Sequence, residues 1–189
     1  MIPIDLFTSL VNRKRGDTLT IVGILDGHRI LVTGVLTDDS LAYGIAQRAL
    51  SEGADVVLSG AGRGISLTKR MAKRLGIEHS VIEIDVTDEQ QVNDAASAVE
   101  GLFGRLDGLV HAIGYAPESA LGHGMLATPF SDVATAFHIS TYSLASLVSA
   151  FRPLLQKSTA LGGASVIGLD FDATRAYPMY DWMGVAKAG

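Results

Sequence analysis

Two side chains near the end of this sequence could do chemistry together. In the stretch FDATRAYPMYDWMGVAK (171–187) a phenol, Tyr180, stands seven positions before an ammonium, Lys187. In a helix seven residues make about 1.95 turns and a rise of roughly 10.5 Å, so both side chains are expected to project from nearly the same face. A proton donor and a cation on one face suit a reaction that builds negative charge on a substrate oxygen. Everything before this segment reads as the scaffold that positions it.

The scaffold is bounded by composition. A chain of 189 residues with 48% hydrophobic and 19% charged residues favours one globular domain with a sizeable core. A formal charge of −5 gives no general pull toward nucleic acid or an anionic membrane, so neither is expected as a partner. No cysteine is present, which rules out disulfides, thiolate metal sites and a cysteine nucleophile, and fits a cytoplasmic protein. No metal site is expected. Residues 1–23 read as a poorly ordered extension, with Arg13, Lys14 and Arg15 placed after rather than before a short apolar stretch, unlike a secretory signal. Residues 24–189 read as the domain itself.

Along that domain, apolar runs alternate with helical patterns. Strands are expected at Arg29–Thr33, Ala54–Ser59, Ser80–Asp85, Asp107–Ala112 and Ala164–Leu169. The first helix is capped by Ser40 and ends near Gly53; the second runs from Arg63 to Leu75 and the third opens on a Thr87–Gln90 capping box. A loop at 116–129 then leads to a long helix over about Phe130–Leu155. Five strands alternating with helices through short links imply an α/β, doubly wound, Rossmann-like parallel sheet covered on both faces, in strand order 3-2-1-4-5.

Ligands in such sheets bind beyond the carboxyl ends of the strands. The residues there are Gly34 and the loop to Leu41 and Gly44, which is not a full G-x-G-x-x-G; Ser59-Gly60-Ala61-Gly62-Arg63; Asp85-Val86; and His111-Ala112-Ile113-Gly114. Gly34 permits a tight turn toward a helix N-terminus that could meet a pyrophosphate. No acidic residue follows strand 2 to bind a ribose, and Arg63 could meet a 2′-phosphate or simply be solvated, which leaves NADH against NADPH open on residues alone. Asp85 could reach an adenine or equally assist the next helix. His111 reads as a packed, hydrogen-bonded strand residue rather than a catalyst. Only together do the four strand ends point at one site.

This constellation resembles the short-chain dehydrogenase/reductase superfamily and, within it, the NADH-dependent enoyl-acyl-carrier-protein reductases of mycobacterial and actinobacterial type. The likeness is carried by Ile24-Leu25-Asp26-Gly27, RILVTGVLTDDSLAYGIA (29–46), Leu58-Ser59-Gly60, Ile84-Asp85-Val86, HAIGYAP (111–117), His138-Ile139-Ser140 with Tyr142-Ser143, and GLDFDATRAYPMYDWMGVAK (168–187). Ordinary members carry Tyr-x-x-x-Lys and a serine after strand 5, whereas here Met183 stands four before Lys187 and strand 5 leads to Asp170-Phe171.

The resemblance implies reduction of the trans-2 double bond of an enoyl thioester on acyl-carrier protein or CoA, with NADH/NAD as cofactor, in a homotetramer serving fatty-acid synthesis. It assigns Tyr180 to the thioester carbonyl, Lys187 to the nicotinamide ribose hydroxyls and Phe171 to the side of the reacting double bond. Gly34, Leu36, Ser40 and Leu41 would line the pyrophosphate and adenosine, Asp85 and Val86 the adenine, and Ile113 and Gly114 the ribose. Two departures stand out: Gly184 where relatives tend to carry threonine, and a chain that stops before the family's last strands and substrate-binding loop. The alternatives are an inactive, truncated cofactor-binding remnant and a carbonyl-reducing relative.

Overall fold

The computed structural model describes residues 23–189. The expected extension at 1–23 therefore lies, but for Gly23, outside the described residues. Five parallel strands form one sheet: β1 (Arg29–Thr33), β2 (Asp55–Gly60), β3 (Ile82–Glu83), β4 (Gly108–His111) and β5 (Ser165–Gly168). Their order is 3-2-1-4-5, as the alternation requires. The helices are α1 (Leu41–Ser51), α2 (Ile65–Arg74), α3 (Glu89–Phe103), α4 (Phe130–Phe137), α5 (Ser143–Leu155) and α6 (Asp181–Ala188).

Successive strand side chains point to opposite faces, so the central strands feed two cores. Ile30, Val32, Val56 and Leu58 pack with Ala42, Ala46, Ala49, Met71 and Ala72 of α1 and α2. Leu31, Val57 and Leu109 pack on the other face with Val92, Val99, Leu147 and Phe151 of α3 and α5. The expectation of a sheet covered on both faces holds for these strands but not for β5, all four of whose residues are exposed, Val166 at 42% and Ile167 at 50%. Strand 3 is shorter than its apolar run suggests, because as an edge it pairs with β2 only through Ile82 and Glu83.

Two local details differ from the sequence expectation for physical reasons. The N-cap sits one residue later than the expected capping box: Asp88, not Thr87, caps α3, its carboxylate accepting from Gln90 N and Gln91 N at 2.9 and 3.1 Å. The Gln91 side chain accepts from Asp85 N at 3.2 Å, while Asp88 N, the donor a reciprocal capping box would offer it, bonds Asp85 O at 3.0 Å. The helix before β5 runs from Phe130 to Leu155 as expected, but its winding is not uniform: a π-turn at His138–Tyr142 lies between α4 and α5.

At the far end of the sheet the buried Asp107 ties three segments together. It accepts from Arg29 N at 2.9 Å, Ser158 Oγ at 2.7 Å and Thr159 N at 3.2 Å, and pairs with Arg105. Burial pushes its carboxyl up, but these donors outweigh burial and hold it below the usual carboxylate range.

Candidate functional site

The site lies where β1 and β4 diverge at their carboxyl ends, the switch point of the fold. Thr33 at the end of β1 holds the two strands together. Its hydroxyl donates to Val110 O at 3.0 Å and accepts from Ala112 N at 3.1 Å. Gly34 follows with φ +79°, and a Cβ there would come within 2.1 Å of Ala112 O. Only glycine fits that backbone, because both the left-handed conformation and the close approach exclude a side chain.

The loop then reaches Ser40, which caps α1 by accepting from Tyr43 N at 3.1 Å while donating to Thr37 O at 2.8 Å. The first two N–H groups of α1, at Leu41 and Ala42, have no partner among the described residues. They present donors and the positive end of the helix to the space above the strands, as an anionic pyrophosphate requires. The Leu41 side chain itself is exposed and Leu36 leans toward Gly64 after β2.

The adenine-side assignments fare unequally. The Asp85 carboxylate accepts from both Thr87 N (2.9 Å) and Thr87 Oγ1 (2.7 Å), in the turn that leads to α3. Val86 is buried in the core beneath α3, leaving its backbone as the surface it can offer. Arg63 lies exposed in a single 3-10 turn at Gly62–Gly64.

At β4 the chain bends through Ile113 and Gly114, and here the chemistry-bearing stretch arrives. Lys187, 8% exposed, donates from Nζ to Ile113 O at 3.2 Å. Its alkyl stem and the Met183 methyl lie against Gly114, where a Cβ would meet Met183 Cε at 3.1 Å. Burial lowers the Lys187 ammonium below its ordinary range, and the nearby Asp170 carboxylate works against that. Phe171 N donates to Lys187 O at 2.8 Å, pinning the segment after β5 to α6.

The Tyr180 ring packs on Phe171 with centroids 4.7 Å apart, and the residue remains 40% exposed. The expected single helix face is corrected in one respect. Helix α6 begins at Asp181, and Tyr180 is its N-cap residue, whose carbonyl accepts from Gly184 N at 3.0 Å. Pro178, two residues before the tyrosine, lacks the N–H a preceding turn would use, and Asp181 takes φ +37°, so the chain turns sharply between phenol and helix. Asp181 and Trp182 are both spent on the 116–129 loop, accepting from Gly124 N and donating to Met125 O at 2.9 and 2.8 Å.

His111 is packed, as the sequence suggested. It is 2% exposed and bonded through Nε2 to Ser143 Oγ at 2.7 Å. Burial, then the charge of Lys187, push its imidazole down to about 4, so it is neutral near pH 7. Sequence reasoning missed Asp170 as the anion near Lys187, Met183 as the side chain against Gly114, and the hydroxyls of Ser140 and Thr141. Serine and threonine inside a helix give no sequence signal that distinguishes them from surface residues.

A parallel 3-2-1-4-5 sheet, a glycine turn at its switch point and a phenol and ammonium brought in after β5 define a dinucleotide-binding domain of the short-chain dehydrogenase/reductase type. The sequence model of a family described as "Enoyl-(Acyl carrier protein) reductase" matches residues 34–189, and the chain belongs to that family. The enoyl-[acyl-carrier-protein] reductase [NADH] of Mycolicibacterium smegmatis is 42% identical over 170 residues, covering 88% of this chain and 61% of the relative. That of Mycobacterium avium is 41% identical over 169 residues, covering 88% and 61%. The enzyme of Escherichia coli (strain K12), named enoyl-[acyl-carrier-protein] reductase [NADH] FabI, is 35% identical over 169 residues, covering 88% and 63%. The chain thus spans about three fifths of the length of these curated relatives.

Proposed function

We propose that this chain carries the NADH site and the reducing centre for the trans-2 double bond of enoyl thioesters on acyl-carrier protein, a step of cytoplasmic fatty-acid synthesis. The observation that carries the reading is the convergence of Tyr180 and Phe171 with a buried Lys187 whose ammonium rests on the Ile113 carbonyl beside Gly114. The relatives' names specify NADH and the acyl-carrier-protein substrate, and the absence of an acidic residue after β2 does not oppose that choice.

The residues fit a dinucleotide. Gly34 keeps the turn free of side chain, and the Leu41 and Ala42 N–H groups with the Ser40 cap would take the pyrophosphate. Leu36 and the strand-end residues Asp85 and Val86 would line the adenosine end. Ile113, Gly114 and the Lys187 ammonium would hold the nicotinamide ribose. NADH bound there supplies the hydride that reduces the double bond.

The chain's own part is electrostatic. As hydride reaches the β-carbon, negative charge collects on the thioester oxygen, and the Tyr180 hydroxyl donates to it without having to surrender its proton; the enolate then takes a proton from solvent at the α-carbon to give the saturated thioester. Lys187 keeps a positive charge behind the ribose and so favours the same oxyanion. Phe171 packs against Tyr180 and gives the reacting carbons an apolar wall that excludes water.

A homotetramer completes the reading. An apolar groove of about 590 Å³ lined by Phe130, Val133, Phe137, Tyr142, Trp182 and Val185 supports a subunit contact along α4, the π-turn and α6. The test of the activity is direct. Protein mixed with NADH and a trans-2-enoyl thioester should consume NADH absorbance and yield the saturated thioester; NADH binding without turnover by a chain carrying the relatives' full length would overturn it.

A further inference from the structure

The long helix before β5 changes its winding beside the site. In the π-turn His138–Tyr142, Ser143 N donates to His138 O, five residues back. Isolated π-turns are rare and tend to occur at functional sites. The Ile139 carbonyl, which Ser143 N would occupy in a regular α-helix, instead accepts from the Ser143 hydroxyl at 2.6 Å. With its single proton committed there, Ser143 can only accept from His111, which fixes His111 Nε2 as the protonated nitrogen.

The turn also delivers two further hydroxyls. Ser140, 3% exposed, accepts from Tyr115 N at 2.9 Å and donates to Tyr115 O at 2.8 Å. It therefore satisfies both backbone groups of the residue after Gly114. Thr141 Oγ1 donates to Ala186 O, one residue before Lys187. The Ile113–Tyr115 bend and the Lys187 backbone are the two parts joined by the Lys187 Nζ to Ile113 O bond, and one turn of one helix grips both.

We propose that Ser140 and Thr141 are positioning residues, and that the π-turn serves to set the Lys187 ammonium against the Ile113–Gly114 backbone where the cofactor ribose is taken. This rests on the NADH reading above. Neither hydroxyl touches the reacting atoms. Each acts through a backbone segment, and the extra residue of the π-turn directs both into the site side of the helix while Ser143 secures β4.

The test is NADH affinity by calorimetry alongside thermal unfolding, in wild-type protein, Ser140→Ala, Ser140→Thr, Thr141→Val and, as a control, Thr135→Ala, whose hydroxyl bonds only Ser131 O within α4. Ser140→Ala should weaken NADH binding about tenfold, because it strips a buried backbone N–H and C=O of their partner. Ser140→Thr should recover most of that loss, Thr141→Val should weaken binding severalfold, and Thr135→Ala should leave it unchanged. Lower melting temperatures with wild-type affinity in both Ser140→Ala and Thr141→Val would make the roles structural and overturn the proposal. If Ser140→Ala does not fold, Thr141→Val decides by the same criterion. Wild-type protein that fails to bind NADH would defeat the cofactor reading itself, a result distinct from unchanged affinity in the variants.

Discussion

The Tyr180 hydroxyl can be removed with little change in packing, since Tyr180→Phe keeps the ring on Phe171 and the N-cap carbonyl on Gly184 N. Loss of one donor to a developing oxyanion costs about 10²-fold in kcat, so steady-state kinetics should show that fall with NADH affinity within about twofold of wild type. Lys187 should behave differently, because its charge is tuned by two opposed neighbours. Burial lowers its pKa and Asp170 raises it, so Asp170→Asn moves the pKa lower still. As pH rises from neutrality, the ammonium loses its proton and NADH binding weakens; the break lies below the ordinary lysine range of about 10.4 and should come at lower pH in Asp170→Asn. Affinity measured across the alkaline range checks the order of the two breaks. An identical profile would mean that Asp170 does not act on Lys187.

At the scale of elements, two glycines predict opposite outcomes. Gly34→Ala places a Cβ 2.1 Å from Ala112 O at a φ of +79°, so β1 and β4 must separate or the turn must reshape. A loss of about 3 kcal/mol or more in urea unfolding, together with loss of NADH binding, is expected. Gly184→Ala puts its Cβ 3.4 Å from Tyr180 Cβ, an ordinary contact, inside a helix with a glycine it does not need for space. That variant should gain about 0.5 to 1 kcal/mol by the same measurement. The same elements show what could be read from the chain. Short continuous apolar runs and glycine-terminated helices made all five strands and their order legible, because strands buried on both faces need apolar side chains on both. The Ser40 cap was legible because a serine before a helical repeat has one common use. The cap at Asp88 was missed by one residue, since Thr87 and Asp88 are both good caps; the Asp88 carboxylate takes Gln90 N and Gln91 N, while the Thr87 hydroxyl donates to Asp85. The break between Tyr180 and α6 and the π-turn were not legible. Both are set by contacts with distant segments, the first through Gly124 and Met125, the second through Tyr115 and Ala186.

Over the whole molecule, the proposed homotetramer needs an apolar surface to join its copies, and two surfaces are candidates. The α4–α6 groove offers Phe130, Phe137 and Trp182, bulky side chains suited to a closed contact between helices. The other candidate lies along β5, whose Ile167 borders a groove of about 830 Å³ shared with Leu25, Ile30, Leu41, Ile45 and Leu161. A strand edge invites pairing with further chains and sets no limit on their number, and the formal charge of −5 that opposes such open-ended association at neutral pH vanishes near the pI of about 5.4. The two surfaces should therefore separate by pH and by substitution. Phe137→Asp should shift sedimentation from a discrete oligomer toward the monomer at pH 7.5, with NADH affinity unchanged because Phe137 lines that groove and takes no part in the Gly34 turn or the Lys187–Ile113 bond. Ile167→Lys should leave that oligomer in place and instead suppress the turbidity expected near pH 5.4, since a lysine on a strand edge opposes further pairing. Dissociation by Ile167→Lys and not by Phe137→Asp would reverse the assignment and make β5 the subunit contact.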